Sequence, residues 1–141
     1  MSTVAIRTAL TKALKEIEPA LDTAWENGKL YEPVKDRPYQ RVNILPATPR
    51  TNEIGRSYIE RGILQVMLLY PQRGGTTPAG IRVDLIRAAF YRGRSLTPVS
   101  GITTHIGSLD GDGAVTVYSA MIEGDRYAVP VRVPFYASIT V

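Results

Sequence analysis

The side chains with the greatest potential for catalysis in this sequence are one histidine and a few carboxylates. His105 is the only histidine, so a Ser-His-Asp triad would have to use it as general base. It stands between threonine and isoleucine in a stretch with strand character, and this context favours a structural role. A small hydrolase that uses His105 stays as a distant alternative. Glu60 and Asp84 are imaginable as paired carboxylates, but nothing in the sequence brings them together.

The sequence contains no recognisable metal or cofactor site. There is no cysteine and no second histidine, whereas catalytic zinc sites typically draw on several such ligands. Asp110 and Asp112 alternate with glycine as in a calcium loop, but Ala114 and Met121 stand where that loop has further ligands. A hairpin turn explains the segment better, and no phosphate-binding loop is present. We expect no catalytic residue, no metal and no cofactor.

Arginine is unusually concentrated in the middle of the chain. Residues 37–109 hold ten arginines against three acidic residues, and all four lysines lie at or before Lys35. The planar guanidinium group forms paired hydrogen bonds with carboxylates and phosphates and is common at interfaces. The pattern fits a solvated basic face, an acidic protein partner or nucleic acid. Arg92 and Arg94 flank a glycine as in nucleic-acid-binding tracts, but the end of a helix explains them better.

Two predicted helices supply part of the scaffold. The first is capped by Ser2 or Thr3 and ends near Glu18, because a proline follows and disfavours helical geometry at the residue before it. The second begins at the cap Thr77 and stops at Gly93. Apolar residues recur along one stripe of each segment, so we expect both helices to pack against a core.

Strand signals fill most of the remaining chain. The longest internal segment, Tyr58–Tyr70, is apolar on both faces, which implies cover on both sides. Helices would cover one face. The other face would be covered by a second subunit or by an internal second layer. The last segment alternates as a half-buried strand, and Pro130 and Pro134 direct their missing N–H groups to one edge or a bulge. The predicted strands are Thr23–Glu26, Tyr39–Leu45, Tyr58–Tyr70, Ile102–Ile106, Val115–Ile122 and Tyr127–Val141.

This order of elements predicts one α+β domain over residues 1–141, with a mostly antiparallel twisted sheet and two main helices on one face. The N-terminus lacks the basic and apolar regions of a signal peptide. The longest apolar run, Ile63–Tyr70, is too short to span a bilayer as a helix. We expect a soluble protein that is made in the cytoplasm and has no membrane partner.

Two arginine-bearing loops flank the longest internal strand. One occupies residues 46–57 and the other residues 71–77, and long loops of this kind in compact domains are often functional. We predict that Thr48–Arg56 and Gln72–Thr77 within these loops contact neighbouring proteins and that the strand between them contributes apolar contacts. The predicted protein-interface residues are Arg50, Arg56, Arg73, Met67 and Leu69.

A series of short motifs recurs in one recognisable order along nearly the whole chain. The motifs are Ala24–Asn27, Arg37–Val42, Gly62–Val66, Tyr70-Pro71, the Gly74-Gly75 loop, Phe90–Gly93 and Val129–Pro134. Together they resemble a family of small tailed-phage and prophage proteins. That family is similar in size and element order to the tail terminators of long-tailed phages such as phage lambda.

The resemblance implies a structural, non-enzymatic virion protein of the tail or neck. It implies a hexameric ring that caps the tail tube, stops its polymerisation and joins it to the head-side connector. The implied partners are copies of the chain itself, the tail tube protein and the connector or stopper protein, with at most transient, non-specific contact with passing DNA. Another neck component, either a head-to-tail connector or a tail completion protein, is the alternative.

Overall fold

The computed structural model describes residues 2–51, 57–108 and 115–140. A long sheet forms the centre of the fold, in the strand order β1-β2-β3-β7-β4, and β5 and β6 also pair with β7. Only β1 and β2 run parallel among the pairs described. The elements are α1 (Ser2–Lys15), β1 (Asp22–Trp25), β2 (Tyr39–Pro46), β3 (Tyr58–Pro71), α2 (Thr77–Ala89), β4 (His105–Ile106), β5 (Thr116–Val117), β6 (Met121–Glu123) and β7 (Arg126–Ile139).

The core lies between one face of this sheet and both helices. Alternate residues of β3 and β7 are buried there as cross-strand pairs. Burial of each such apolar side chain stabilises the fold by roughly 1.5–3 kcal/mol. Leu10 and Leu14 of α1 and Ile86 of α2 belong to the same buried cluster. The predicted α+β fold with a mostly antiparallel sheet is confirmed. The central pairs are Leu64 with Val133, Val66 with Val131, and Leu68 with Val129.

The two prolines of β7 organise its outer edge. The strand pairs along its whole length with β3, but on the other side it meets three short strands. Pro130 lies between the segments paired with β6 and β5, and Pro134 between those paired with β5 and β4. Their carbonyls accept hydrogen bonds from Tyr118 and Gly107 at 3.0 and 2.9 Å. Because proline has no N–H group to donate, the row of backbone hydrogen bonds on the outer side of β7 is interrupted at both positions.

The interruptions account for one difference from the predicted strands. The segment predicted as a continuous strand over 115–122 forms only the short strands β5 and β6, separated opposite Pro130.

The predicted strand over 102–106 is also shorter in the structure and is reduced to His105–Ile106. The residues before β4 turn back in a tight hairpin, in which Val99 and Ile102 exchange backbone hydrogen bonds of 3.0 Å.

The helix ends also differ from the predicted positions. α1 ends at Lys15, three residues before the predicted end at Glu18. α2 is preceded by Thr76, which takes the capping position predicted for Thr77 but makes no side-chain capping hydrogen bond. The helix ends at Ala89, and Gly93, with φ of 88°, shapes the turn that follows. Neither helix of the described ranges is long and apolar enough to cross a membrane.

Candidate interaction surface

The sheet face opposite the helices, here called the open face, is the candidate interaction surface. Within the part of the chain that the structure describes, neither helix nor second sheet covers it. Its central side chains mix apolar groups with arginine and are partly buried, except for the exposed Arg41. They are Arg41, Asn43, Ile63, Gln65, Met67, Arg132, Pro134 and Tyr136. Helices therefore cover only one of the two apolar faces of β3.

A segment that we call the strap, residues 26–38, crosses one end of the open face. It connects the parallel strands β1 and β2 and is held there by Arg126 of β7, which is 5% exposed. The Arg126 guanidinium donates hydrogen bonds to the carbonyls of Arg37 and, at 2.7 Å, Val34. It also lies 5.2 Å from the ring centre of Tyr39. These contacts compensate the burial of the charge, since each involves a polar or aromatic acceptor.

Asp22 anchors the strap at a second place. Its carboxylate accepts a hydrogen bond of 3.0 Å from the Tyr31 hydroxyl and forms an ion pair of 2.8 Å with Arg37. The ring of Tyr31 packs 4.9 Å from that of Tyr39. Burial raises the pKa of the Tyr31 hydroxyl, and the hydrogen bond and charge of Asp22 raise it further. The strap is therefore fastened to both β1 and β7.

Leu69 lies inside the fold rather than on the surface. It is 1% exposed and stands in register between Tyr39 and Ala128, next to the residues that hold the strap. A side chain buried to this degree is not available to a partner, so the prediction of Leu69 as a contact residue is corrected. Met67, two residues earlier on the same face, is partly exposed at the centre of the open face.

Two of the three predicted arginines lie at opposite ends of β3. Arg50 exchanges backbone hydrogen bonds of 2.9 and 2.7 Å with Ile59 at one end. Arg73 is exposed in the turn after Pro71 at the other end. At roughly 3.3 Å per residue, the two ends are about 40 Å apart. The structure thus does not bring Arg50 and Arg73 together, and Arg56 lies outside the described residues.

Other arginines are used in contacts within the chain. Arg41 forms a bidentate ion pair with Glu123 at 3.0 and 3.2 Å. Arg132 donates to Gln65 at 3.2 Å and lies 4.8 Å from the ring centre of Tyr118. No local sequence pattern indicates these contacts, because each joins residues far apart along the chain. Of the basic middle segment, Arg41 is therefore neutralised by Glu123 on the open face.

His105 is held by two neighbours. Its Nδ1 lies 2.9 Å from the Ser95 hydroxyl, and its ring stacks on Tyr136 with centroids 5.1 Å apart. No carboxylate contacts the ring among residues 2–51, 57–108 and 115–140, and these ranges hold no cluster of His, Asp or Glu fit for a metal ion. A serine and a histidine are thus adjacent, but the acid that would orient the base is not found there.

The two carboxylates that sequence analysis considered together are separated. Glu60 accepts a hydrogen bond of 3.3 Å from Thr3 of α1. Asp84 is exposed on α2, where it lines a cleft between this helix and the edge of the sheet. The cleft has a volume of about 500 Å³ and apolar walls formed by Ile81, Val117, Tyr127 and Val129.

Residues 5–135 match the sequence profile of a family described as phage tail terminator protein. The chain belongs to the phage tail terminator family. The match covers most of the sequence, so the resemblance seen in the ordered motifs is confirmed. No curated protein shows significant sequence similarity to the chain.

A solved structure has the same fold as this tail terminator. It is 23% identical, superposes with a TM-score of 0.73, and the match covers 100% of this chain and 98% of the other. At this identity the likeness shows the fold alone. Family membership places the protein in the virion tail as a structural component and implies contact with other tail or head proteins.

Proposed function

We propose that this protein forms a ring, hexameric by analogy with lambda-type terminators, that caps the tail tube and stops its polymerisation. The ring also joins the tube to the head-side connector or stopper protein. It acts by binding alone and needs no cofactor, and its contact with passing DNA is at most transient and non-specific. Family membership supports the terminator role.

The observation that carries the ring is the difference between the two faces of the sheet. One face is buried under two helices, whereas the open face presents the partly exposed Ile63, Met67 and Tyr136 beside guanidinium groups. Partly exposed apolar groups with arginine and tyrosine are typical of the centre of a protein interface. The open face thus suits lateral contact with another subunit.

The arginines at the two ends of β3 support axial contacts. Arg50 belongs to the loop at one end and Arg73 to the loop at the other, so the two can face different neighbours of a ring. One loop would meet the tube and the other the connector, through acidic groups on those proteins.

Mixing the purified protein with tail-tube subunits tests the proposal. We expect tubes of limited length with a ring at one end in electron micrographs, and a closed oligomer by native mass spectrometry. Free rings without affinity for tubes would instead indicate a head-to-tail connector, and uncapped tubes with a persistent monomer would contradict both functions.

A further inference from the structure

We infer that adjacent subunits join when the strap of one copy inserts Leu30 into the cleft between α2 and the sheet edge of the next copy. This inference rests on the proposed ring and adds which surfaces close it. The strap of one subunit carries the anchor, and the α2 cleft of its neighbour receives it.

The outer side of the strap presents apolar groups to solvent although the inner side is firmly held. Leu30 is 84% exposed, the highest value among the large hydrophobic side chains that the structure describes, and Val34 is 51% exposed. The backbone carbonyl of Val34 is at the same time bound by the buried Arg126. Because the contacts of Arg126 and Asp22 already order the strap, little further ordering is needed when a partner binds.

The cleft has a matching apolar lining at the other side of the molecule. Its volume of about 500 Å³ and its walls of Ile81, Val117 and Val129 suit aliphatic side chains. Ile81 is 57% exposed, and Ile122, the strand partner of the wall residue Tyr127, is 63% exposed. Burial of these groups against Leu30 would remove apolar surface from water on both copies.

Charge complementarity identifies the occupant as another copy of this chain. Leu30 is flanked by Lys29 and, two positions on, Glu32, whereas α2 presents Asp84 and Arg87 at the cleft. None of these four exposed groups forms an ion pair within the described ranges. In the contact, Lys29 would face Asp84 and Glu32 would face Arg87. The two ion pairs would attract the subunits and also fix how they align.

The placement of the two surfaces favours a ring over a symmetric pair. The strap lies on the open face, while the cleft is lined by helix-side residues such as Val129. The sheet lies between them, so the two surfaces face different directions and do not form one self-complementary patch. A contact between two different surfaces is heterologous, and it generates rings when the rotation closes.

Charge reversal tests the assigned pairing. Lys29→Glu should weaken subunit association by about tenfold in sedimentation velocity, since it places like charges together. Asp84→Lys in the same chain should restore association, because the pair is then present with reversed polarity. Val4→Asp on the exposed side of α1 is the matched control and should leave the rings intact. A double variant no better than the Lys29→Glu single variant would overturn the pairing.

Mixing two interface variants tests the two-surface arrangement. Leu30→Asp removes the anchor and Ile81→Asp damages the cleft, and both positions are exposed, so the melting temperature should stay within a few degrees. Each variant alone should be monomeric, and an equal mixture should form dimers but no rings, because only one intact contact remains. Rings from either variant would overturn this inference alone. A wild-type protein that stays monomeric even with tail tubes would remove the proposed ring, and the inference with it.

Discussion

Arg126 and Tyr39 meet across the intervening strand β3, with the guanidinium carbon 5.2 Å from the centre of the tyrosine ring. The same arginine holds the strap through the carbonyls of Val34 and Arg37. Position 126 therefore connects the start of β7 to the segment between β1 and β2. A single buried side chain joins three parts of the chain that are distant in sequence.

Replacing Arg126 should loosen the strap and lower stability. We expect Arg126→Ala to reduce the free energy of unfolding by about 2–4 kcal/mol, because two carbonyls lose a charged donor and a cavity is left. Urea unfolding measures the stability, and limited proteolysis should cleave within residues 26–38. Arg73→Ala is the matched control and should change stability by less than about 0.5 kcal/mol, since Arg73 is exposed. Equal effects of the two substitutions would contradict the role of Arg126.

The hydrogen bond between Tyr31 and Asp22 should make stability depend on alkaline pH. The pKa of Tyr31 is raised above 10.0 in the folded protein, mainly by burial. The unfolded chain therefore releases this proton first, and stability that is complete below pH 10 falls as the pH rises through the folded pKa. Tyr31→Phe should show a smaller loss than the wild type between about pH 9 and pH 11.

Unfolding in urea at several pH values checks this difference. Tyr70 also has a raised pKa, caused by burial and opposed by Arg82, and it is present in both proteins. The comparison with Tyr31→Phe therefore isolates the contribution of Tyr31. Parallel curves for the two proteins would show that the Tyr31–Asp22 contact does not form in solution.

Gly62 occupies a place on β3 that has no room for a side chain. An added Cβ would lie 2.8 Å from the carbonyl oxygen of Leu45 and 2.9 Å from Phe135. We expect Gly62→Ala to destabilise the fold by about 1–3 kcal/mol through overpacking. Gly80→Ala on α2 is the opposite case, because nothing lies within 4 Å of its Cβ.

Gly80→Ala should stabilise the protein by about 0.5–1 kcal/mol, since alanine favours the helix. Thermal unfolding of both variants should therefore shift in opposite directions. A stabilising Gly62→Ala substitution would show that β2 and β7 approach β3 less closely than described.

His105 should matter for local packing and not for tail-tube capping. His105→Ala removes the contacts with Ser95 and Tyr136, so a stability loss of about 1 kcal/mol is expected. Tube capping in electron micrographs should stay at the wild-type level. Loss of capping by a well-folded His105→Ala variant would contradict a purely local role for His105, whereas loss of a hydrolytic activity would favour the hydrolase alternative.

The loop around Arg50 should contribute to axial binding. Replacing Arg50 and Arg56 together by glutamate should impair binding to the tube or connector while the melting temperature changes by only a few degrees. Lys12→Glu on the exposed side of α1 is the control of equal charge change per site. If native mass spectrometry shows unchanged assembly and micrographs show unchanged capping, neither arginine belongs to the contact surface.

Sequence patterns predicted the long strands because alternation along β3 and β7 records which side chains share a face. The same alternation could not show that Leu69 is buried whereas Met67 is partly exposed. Both lie on the open face, but Leu69 stands between Tyr39 and Ala128, beside the contact of Arg126 with Tyr39, and is buried. The strap itself depends on Arg126, far along the chain, and no local pattern encodes such a contact.

Element ends were harder to predict than element types. The short strands β5 and β6 were expected as one, because their own residues favour a strand. The break is caused by Pro130 on the neighbouring strand, so the deciding signal lies in a different segment. The arginine-rich composition likewise predicted a binding surface, whereas Arg41 and Arg132 are engaged within the chain.

The prolines of β7 also bear on how this chain avoids unwanted polymers. An uninterrupted sheet rim is a template for fibrils, since it offers a continuous row of backbone donors and acceptors to any passing strand. At the edge beyond β7, Pro130 and Pro134 limit the rim to fragments two or three residues long. Such fragments are poor templates for amyloid-like growth. A protein that we propose ends one polymer thus carries, in its own sheet, a safeguard against starting another.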